Sequence, residues 1–179
     1  MSGHNKWSKI KHKKGAEDAR KSKIFSKFAR LITLESKKAG GNENTPGLRA
    51  VILRARAENM PKDIIERAIK KGVSKEAGSL EEATYEAYGP GGSAIIIEVL
   101  TDNKNRTLSE IKQILLTRGA TFAEQGAALW AFEKRGSEWI PKTTIPFSAE
   151  NSEILKQLKE TLEEHDDVQK VYTNISQES

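Results

Sequence analysis

Lys6, Lys9, Lys11, Lys13 and Lys14 surround one tryptophan, Trp7, within the first fifteen residues, with His12 among them. Ammonium groups at this density make point contacts to phosphate oxygens. An indole among them has two uses. It stacks on an unpaired base, or it buries its large apolar area by pinning the arm onto the protein. Further cations follow at Arg20, Lys21, Lys23, Lys27 and Arg30, then at Arg49, Arg54, Arg56, Lys62, Arg67, Lys70 and Lys71. A guanidinium grips a phosphate through two donors at once. The competing use of these arginines is a solvated helix face paired with Glu58, Asp63 and Glu66.

Other chemistries lack their residues. The chain has no cysteine, which removes disulfides and thiolate-bound metals. His4, His12 and His165 are scattered, without the closed spacing that zinc requires. His165 reads as a helix-end cation beside Asp166 and Asp167. Glu163, Glu164, Asp166 and Asp167 point different ways from an exposed helix end, so no metal is expected. Gly89-Pro90-Gly91-Gly92 lacks a following Lys-Ser/Thr and precedes a strand, so it reads as a tight turn rather than a phosphate cradle. No nucleophile–base pair is set by spacing. Neither catalysis nor a cofactor is expected.

Charge is distributed unevenly. Residues 1–75 hold 20 Lys+Arg against 7 Asp+Glu, a net +13. Residues 76–179 hold 10 against 18, a net −8, which gives the whole chain +5. Two domains with different electrostatic tasks are expected, 1–75 and 76–179. Seven acids cannot neutralise twenty bases, so the first half attracts polyanions at long range, and nucleic acid is the expected partner. The acidic half suits protein docking. A membrane partner is disfavoured: the longest apolar run, Ala94 to Leu100, is strand-sized and interrupted by Glu98. The polar start reads as no secretory signal. A cytoplasmic monomer is the expectation.

The elements that must position these residues follow from periodicity. Residues 1–15 read as a loose, self-repelling arm. Ile24, Phe25, Phe28, Leu31 and Ile32 form one helical stripe, stopped by Gly40-Gly41. Leu48, Val51, Ile52 and Ala55 form a second. Ile64, Ile65, Ala68 and Ile69 form a third, starting at Asn59-Met60-Pro61-Lys62-Asp63 and closed by Gly72. These three helices make a small bundle. Beyond a linker the period becomes two. Strands are expected at 83–88, 94–100, 127–133, 142–147 and 168–175, with helices at 107–118 and 149–165. The fold class is therefore α+β. A basic arm and three-helix domain precede a β-hairpin and a ferredoxin-like β-α-β-β-α-β domain.

The third helix exposes Lys62, Glu66, Lys70 and Lys71 rather than, near its start, the Asn, Gln or Arg that read base edges. That favours phosphate positioning and tilts the reading toward RNA.

Several blocks carry a resemblance. Gly3-His4-Asn5-Lys6-Trp7, Ile10-Lys11-His12-Lys13-Lys14 and Lys23-Ile24-Phe25 open the chain. Asn59-Met60-Pro61-Lys62-Asp63 and Glu66-Arg67-Ala68-Ile69 follow. Tyr85-Glu86-Ala87-Tyr88-Gly89-Pro90-Gly91-Gly92, Thr101-Asp102-Asn103-Lys104-Asn105-Arg106-Thr107 and Ile140-Pro141-Lys142-Thr143-Thr144 complete the set. Together they resemble the YebC/PmpR family, which includes the mitochondrial translational activator of cytochrome c oxidase. The resemblance implies a helical domain and two α+β domains, one inserted in the other. Only eight residues separate Phe132 from Pro141 here, so the inserted domain is expected to be absent near 133–140. The family includes probable transcriptional regulators that bind DNA and factors that act on the ribosome. The resemblance thus implies a regulator of gene expression, with ribosomal RNA favoured and DNA the alternative. It carries over Lys6, Trp7, Lys9, Lys11, Lys13 and Lys14 as binding residues. Tyr85, Tyr88, Gly91, Asn103, Asn105 and Arg106 are weaker candidates, with hairpin geometry and helix capping as their structural alternatives.

Overall fold

The computed structural model describes residues 3–78, 80–146 and 148–175, excepting the side chains of residues 3–10 and of Glu76. It forms two compact units, Met1–Gly78 and Ser79–Ser179.

In the first unit, α1 runs unbroken over Gly3–Ala39. The loose arm expected over residues 1–15 is thus corrected to helix from Gly3 onward. Lysines are good helix formers. Glu17 and Asp18 lie one turn from Lys13, Lys14 and Lys21 and offset their repulsion. The later turns are anchored by packing, so extension needs no fresh nucleation.

Helices α2 (Pro46–Ala57) and α3 (Lys62–Val73) fold back onto α1. Ile32, Leu48, Ile52, Ala55, Met60 and Ile65 are buried between them, with Phe25 and Phe28 packed alongside. The α2–α3 connection has a defined chemistry. Asn59 adopts φ 61. Its N–H donates to Arg56 C=O at 2.9 Å, and Met60 N–H donates to Ala55 C=O at 3.0 Å. These two bonds close α2 with a left-handed cap, and the buried Met60 side chain seals it. Pro61 then opens α3. Gly72 does not close α3, which continues to Val73. Its bare Cα instead lets α3 approach α1, where Ser36 Oγ donates to Ile69 C=O at 2.7 Å and Thr33 Oγ1 to Ala68 C=O at 3.2 Å.

The second unit is α+β. Strands β1 (Glu81–Tyr88), β2 (Ala94–Thr101), β3 (Thr121–Ala123) and β6 (Val168–Thr173) form an antiparallel sheet in the order β3-β1-β2-β6. Helices α4 (Lys104–Thr117) and α5 (Ala149–Glu164) cover one face, where Ile95, Ile97 and Val99 meet Ile111, Leu115, Leu158 and Leu162. Ile96 faces the other way, into Ala128, Ala131 and Phe132. Burial on both faces explains why β2 is apolar along nearly its whole length, with Glu98 the one charged residue.

Two expected strands are corrected. The segment expected at 127–133 is a turn, with a 3-10 stretch at Leu129–Ala131, and strand structure begins only at β4 (Phe132–Arg135). The strand expected at 142–147 is not formed over its described residues, 142–146, Phe147 lying outside them; β5 (Glu138–Pro141) instead pairs with β4 as a separate hairpin. Beyond it, Ile145 makes one isolated bridge to Ile175.

Candidate nucleic-acid interface

The cationic residues of the first unit sit on all three helices. Lys11, His12, Lys13, Lys14, Arg20 and Lys21 are exposed on α1, and Lys23, Lys27 and Arg30 are half-buried. Lys6, Trp7 and Lys9 fall within the helical span, but their side chains lie outside the described residues. The apolar stripe of α1 starts only at Ile24 and Phe25. Every described side chain from Lys11 to Ser22 is exposed.

On α2, Arg49, Arg54 and Arg56 are exposed, and the helix contains no acid. The Arg54 guanidinium lies over the Phe28 ring, 5.6 Å from its centroid. On α3, Lys62 pairs with Glu66 at 3.5 Å and Arg67 with Asp63 at 3.0 Å. These are the structural partners the sequence allowed. Both pairs are well exposed and worth little against water, so a phosphate can replace the carboxylate at low cost. Lys70 and Lys71 are exposed in the last turn of α3, where cations favour the helix dipole.

The weaker candidates of the second unit divide into two places. Asn103, Asn105, Arg106 and Tyr85 gather at the start of α4. Asn103 caps that helix, its Oδ1 accepting the Arg106 N–H at 3.0 Å. The Arg106 guanidinium donates to Asp102 at 3.0 Å and to Asp167 at 2.7 Å. Tyr85 Oη donates to Lys104 C=O at 3.3 Å, and its ring packs 6.1 Å from Phe122. Burial, more than any neighbouring charge, raises the Tyr85 phenol above its ordinary value. Asn105 is exposed, and its carbonyl accepts the Ser109 hydroxyl at 3.0 Å. Tyr88 and Gly91 lie at the other end of β1, beside the hairpin turn. Tyr88 Oη donates to Ala127 C=O and accepts from Trp130 Nε1 at 3.4 Å. Gly91 adopts φ 64, the conformation that the turn needs.

Sequence reasoning missed two buried carboxylates. Glu86 is 2% exposed and accepts N–H groups from Gly126 at 2.6 Å, Ala128 at 2.7 Å and Leu129 at 2.9 Å. Asp167, also 2% exposed, accepts the Thr107 hydroxyl at 2.6 Å in addition to Arg106. The available signal for Glu86 was a charged residue interrupting a strand's apolar register.

Glu110, His165 and Asp167 place ligand-type atoms within 4.8 Å of one another. Their partners are internal. His165 Nε2 faces Glu110 at 2.8 Å, and its Nδ1 accepts the Asp167 N–H at 3.1 Å. Both ring nitrogens are used, and the Arg106 cation already occupies Asp167. The helix-dipole reading of His165 is accordingly refined: it caps α5 and ties that helix to α4 through Glu110.

No described helix is long and apolar enough to cross a membrane.

Residues 5–75 match the model of the TACO1/YebC protein N-terminal domain. Residues 80–138 and 136–175 match that of the TACO1/YebC second and third domain. A probable transcriptional regulatory protein of Geobacter sp. strain M21 is 52% identical over 145 residues, covering 80% of this chain and 59% of that protein. A protein of the same description from Desulfosudis oleivorans is 46% identical over 177 residues, covering 98% and 72%. Another, from Dictyoglomus thermophilum, is 38% identical over 238 residues, covering 98% and 96%. The chain thus spans about three fifths of the length of the Geobacter relative. The crystal structure of a conserved hypothetical protein from Aquifex aeolicus is also similar, with TM-score 0.82 and 28% identity over 89% of this chain and 91% of that one.

Proposed function

The chain belongs to the TACO1/YebC family, and on that premise we propose that it is a non-enzymatic, nucleic-acid-binding regulator of gene expression. The observation that carries the reading is the first unit's charge. Its net charge is +13 over residues 1–75, and its described cations on the three helices are exposed or half-buried, with few acids to absorb them. A surface of that kind exchanges condensed counterions for its own cations when it meets a phosphate backbone.

Two targets compete. The relatives' name, probable transcriptional regulatory protein, favours DNA. The helix chemistry favours sequence-independent phosphate contact, as on ribosomal RNA, because the start of α3 exposes Lys62 and its end Lys70 and Lys71, while its one arginine, Arg67, is paired with Asp63. The working place of such a protein is the cytoplasm. The second-and-third-domain model matches in two segments that meet at residues 136–138, within the β4–β5 hairpin, and this supports reading the hairpin as a junction. We read it as the closure left by an inserted domain this chain lacks, and the acidic second unit as a protein-docking module.

Crosslinking the protein to nucleic acid in its own cells and sequencing the attached strands tests the reading. Ribosomal RNA dominating the reads supports translation, and discrete promoter DNA supports transcription. Reads no richer than those from a protein without a basic unit would end the proposal.

A further inference from the structure

The placement of cations around α1 says how the helix engages its ligand. Between Lys11 and Lys23 the helix carries six cations, Lys11, Lys13, Lys14, Arg20, Lys21 and Lys23, against two acids, Glu17 and Asp18. At 3.6 residues per turn these cations fall on two sides. Lys11, Lys14 and Lys21 lie on one, and Lys13, Arg20 and Lys23 on another about 150° away. A helix that rests on a flat polyanion needs cations on one side only. A helix buried against its own protein exposes one side only. This segment does neither: from Lys11 to Ser22 every side chain is exposed, and the bundle first takes hold at Ile24 and Phe25.

Resting on the nucleic-acid reading above, we infer that residues 11–23 of α1 insert into a groove walled by phosphates on both sides. The segment is a rod about 20 Å long and about 10–12 Å across with its side chains. The B-form major groove, about 12 Å wide, admits such a rod. The deep, narrow major groove of regular A-form RNA does not, so an RNA ligand must present a groove widened at an internal loop. With two acids and a single arginine, Arg20, beside five lysines, the contact is chiefly to the backbone. The ligand is therefore a phosphate-walled groove of duplex nucleic acid, DNA or looped RNA.

The test measures binding against salt with three probes: a B-form DNA duplex, an RNA hairpin with an internal loop, and a single-stranded RNA of equal charge. The full chain is compared with Lys11→Gln/Lys14→Gln and with Lys13→Gln/Arg20→Gln. All four residues are exposed, so the bundle core is untouched, and circular dichroism checks the helix. Insertion predicts that both variants flatten the slope of log affinity against log salt. On a DNA duplex each loses about 1.8, from about 0.9 per released phosphate contact. The probe that shows both losses identifies the ligand as DNA or looped RNA. Loss in only one variant, or single-stranded RNA bound as tightly as either duplex, overturns insertion while leaving nucleic-acid binding intact. A wild-type chain that binds none of the three overturns the underlying reading as well.

Discussion

The Arg106 guanidinium holds the Asp167 carboxylate at 2.7 Å, joining the first turn of α4 to the turn before β6 across 61 residues of sequence. The same carboxylate oxygen accepts the Thr107 hydroxyl, and Thr107 in turn meets Thr101 at 2.8 Å. A motif that looks like exposed binding chemistry in sequence thus closes a buried network. Asp167→Ala removes the shared acceptor of Arg106 and Thr107, leaving the Thr107 hydroxyl only Asn103 C=O at 3.1 Å and Thr101, and should cost about 1–3 kcal/mol of stability. Arg106→Gln should cost less, because the guanidinium is partly exposed. Urea unfolding of both variants checks the order. Equal stability of Asp167→Ala and wild type would show that the network contributes nothing.

Two glycines of the first unit make a contrasting pair. A Cβ on Gly72 would meet Ser36 Cβ at 2.5 Å and Thr33 C=O at 2.6 Å, so Gly72→Ala must push α3 off α1. The expected loss is about 1–3 kcal/mol. A Cβ on Gly15 meets nothing within 4 Å, and the residue is helical. Gly15→Ala should therefore stabilise α1 by about 1 kcal/mol. Thermal melts and helix content by circular dichroism read both. A Gly15→Ala protein with reduced helicity would argue against a continuous α1.

Glu86 organises the turn after β3 by accepting three backbone N–H groups. Glu86→Ala leaves them without their acceptor and should cost at least about 1–3 kcal/mol. Glu86→Gln keeps one acceptor oxygen and should lose less. Hydrogen exchange at Gly126, Ala128 and Leu129 should accelerate in the alanine variant. Unchanged protection there would mean that other groups hold the turn.

Alkaline pH provides a further check. Burial first, then the Glu98 carboxylate, pushes the Tyr172 phenol far above its ordinary value of 10.0. Tyr172 Oη donates to Glu98 at 3.3 Å, and Trp139 Nε1 donates to the same carboxylate at 2.9 Å. The folded state keeps a proton that the unfolded chain releases near pH 10. Stability linked to Tyr172 is therefore intact below that pH and falls as pH rises above it. Tyr172→Phe should flatten this alkaline decline. Identical pH profiles for variant and wild type would remove Tyr172 as its source.

The sequence made some of this legible and hid the rest for physical reasons. The stripes of α2 and α3 were readable because each apolar side chain recurs at helical spacing, with Pro61 at the start of α3; the start of α2 at Pro46 was hidden in what reads as a turn. The extension of α1 to Gly3 was not: lysine repulsion argued for coil, yet Glu17 and Asp18 offset it and the packed turns from Phe25 onward supply the nucleus. The run Ala127 to Phe132 has a strand's composition, but Glu86 captures its N–H groups and holds it as a turn. β3 is three residues long and exists because Thr121, Phe122 and Ala123 pair with Tyr88, Ala87 and Glu86. Among the candidate site residues, the charges on α1 to α3 could be read directly. The partners of Asn103, Arg106 and Tyr85 could not, since they depend on chain segments up to 61 residues away.

In the proposed function the basic first unit is the surface that meets nucleic acid. Ultraviolet crosslinking of the full chain to bound nucleic acid, followed by mass spectrometry of the attached peptides, locates that surface. Crosslinked peptides concentrated between Lys11 and Lys71 are the expected result. Crosslinks confined to residues 79–175 would contradict it and move the interface to the acidic unit.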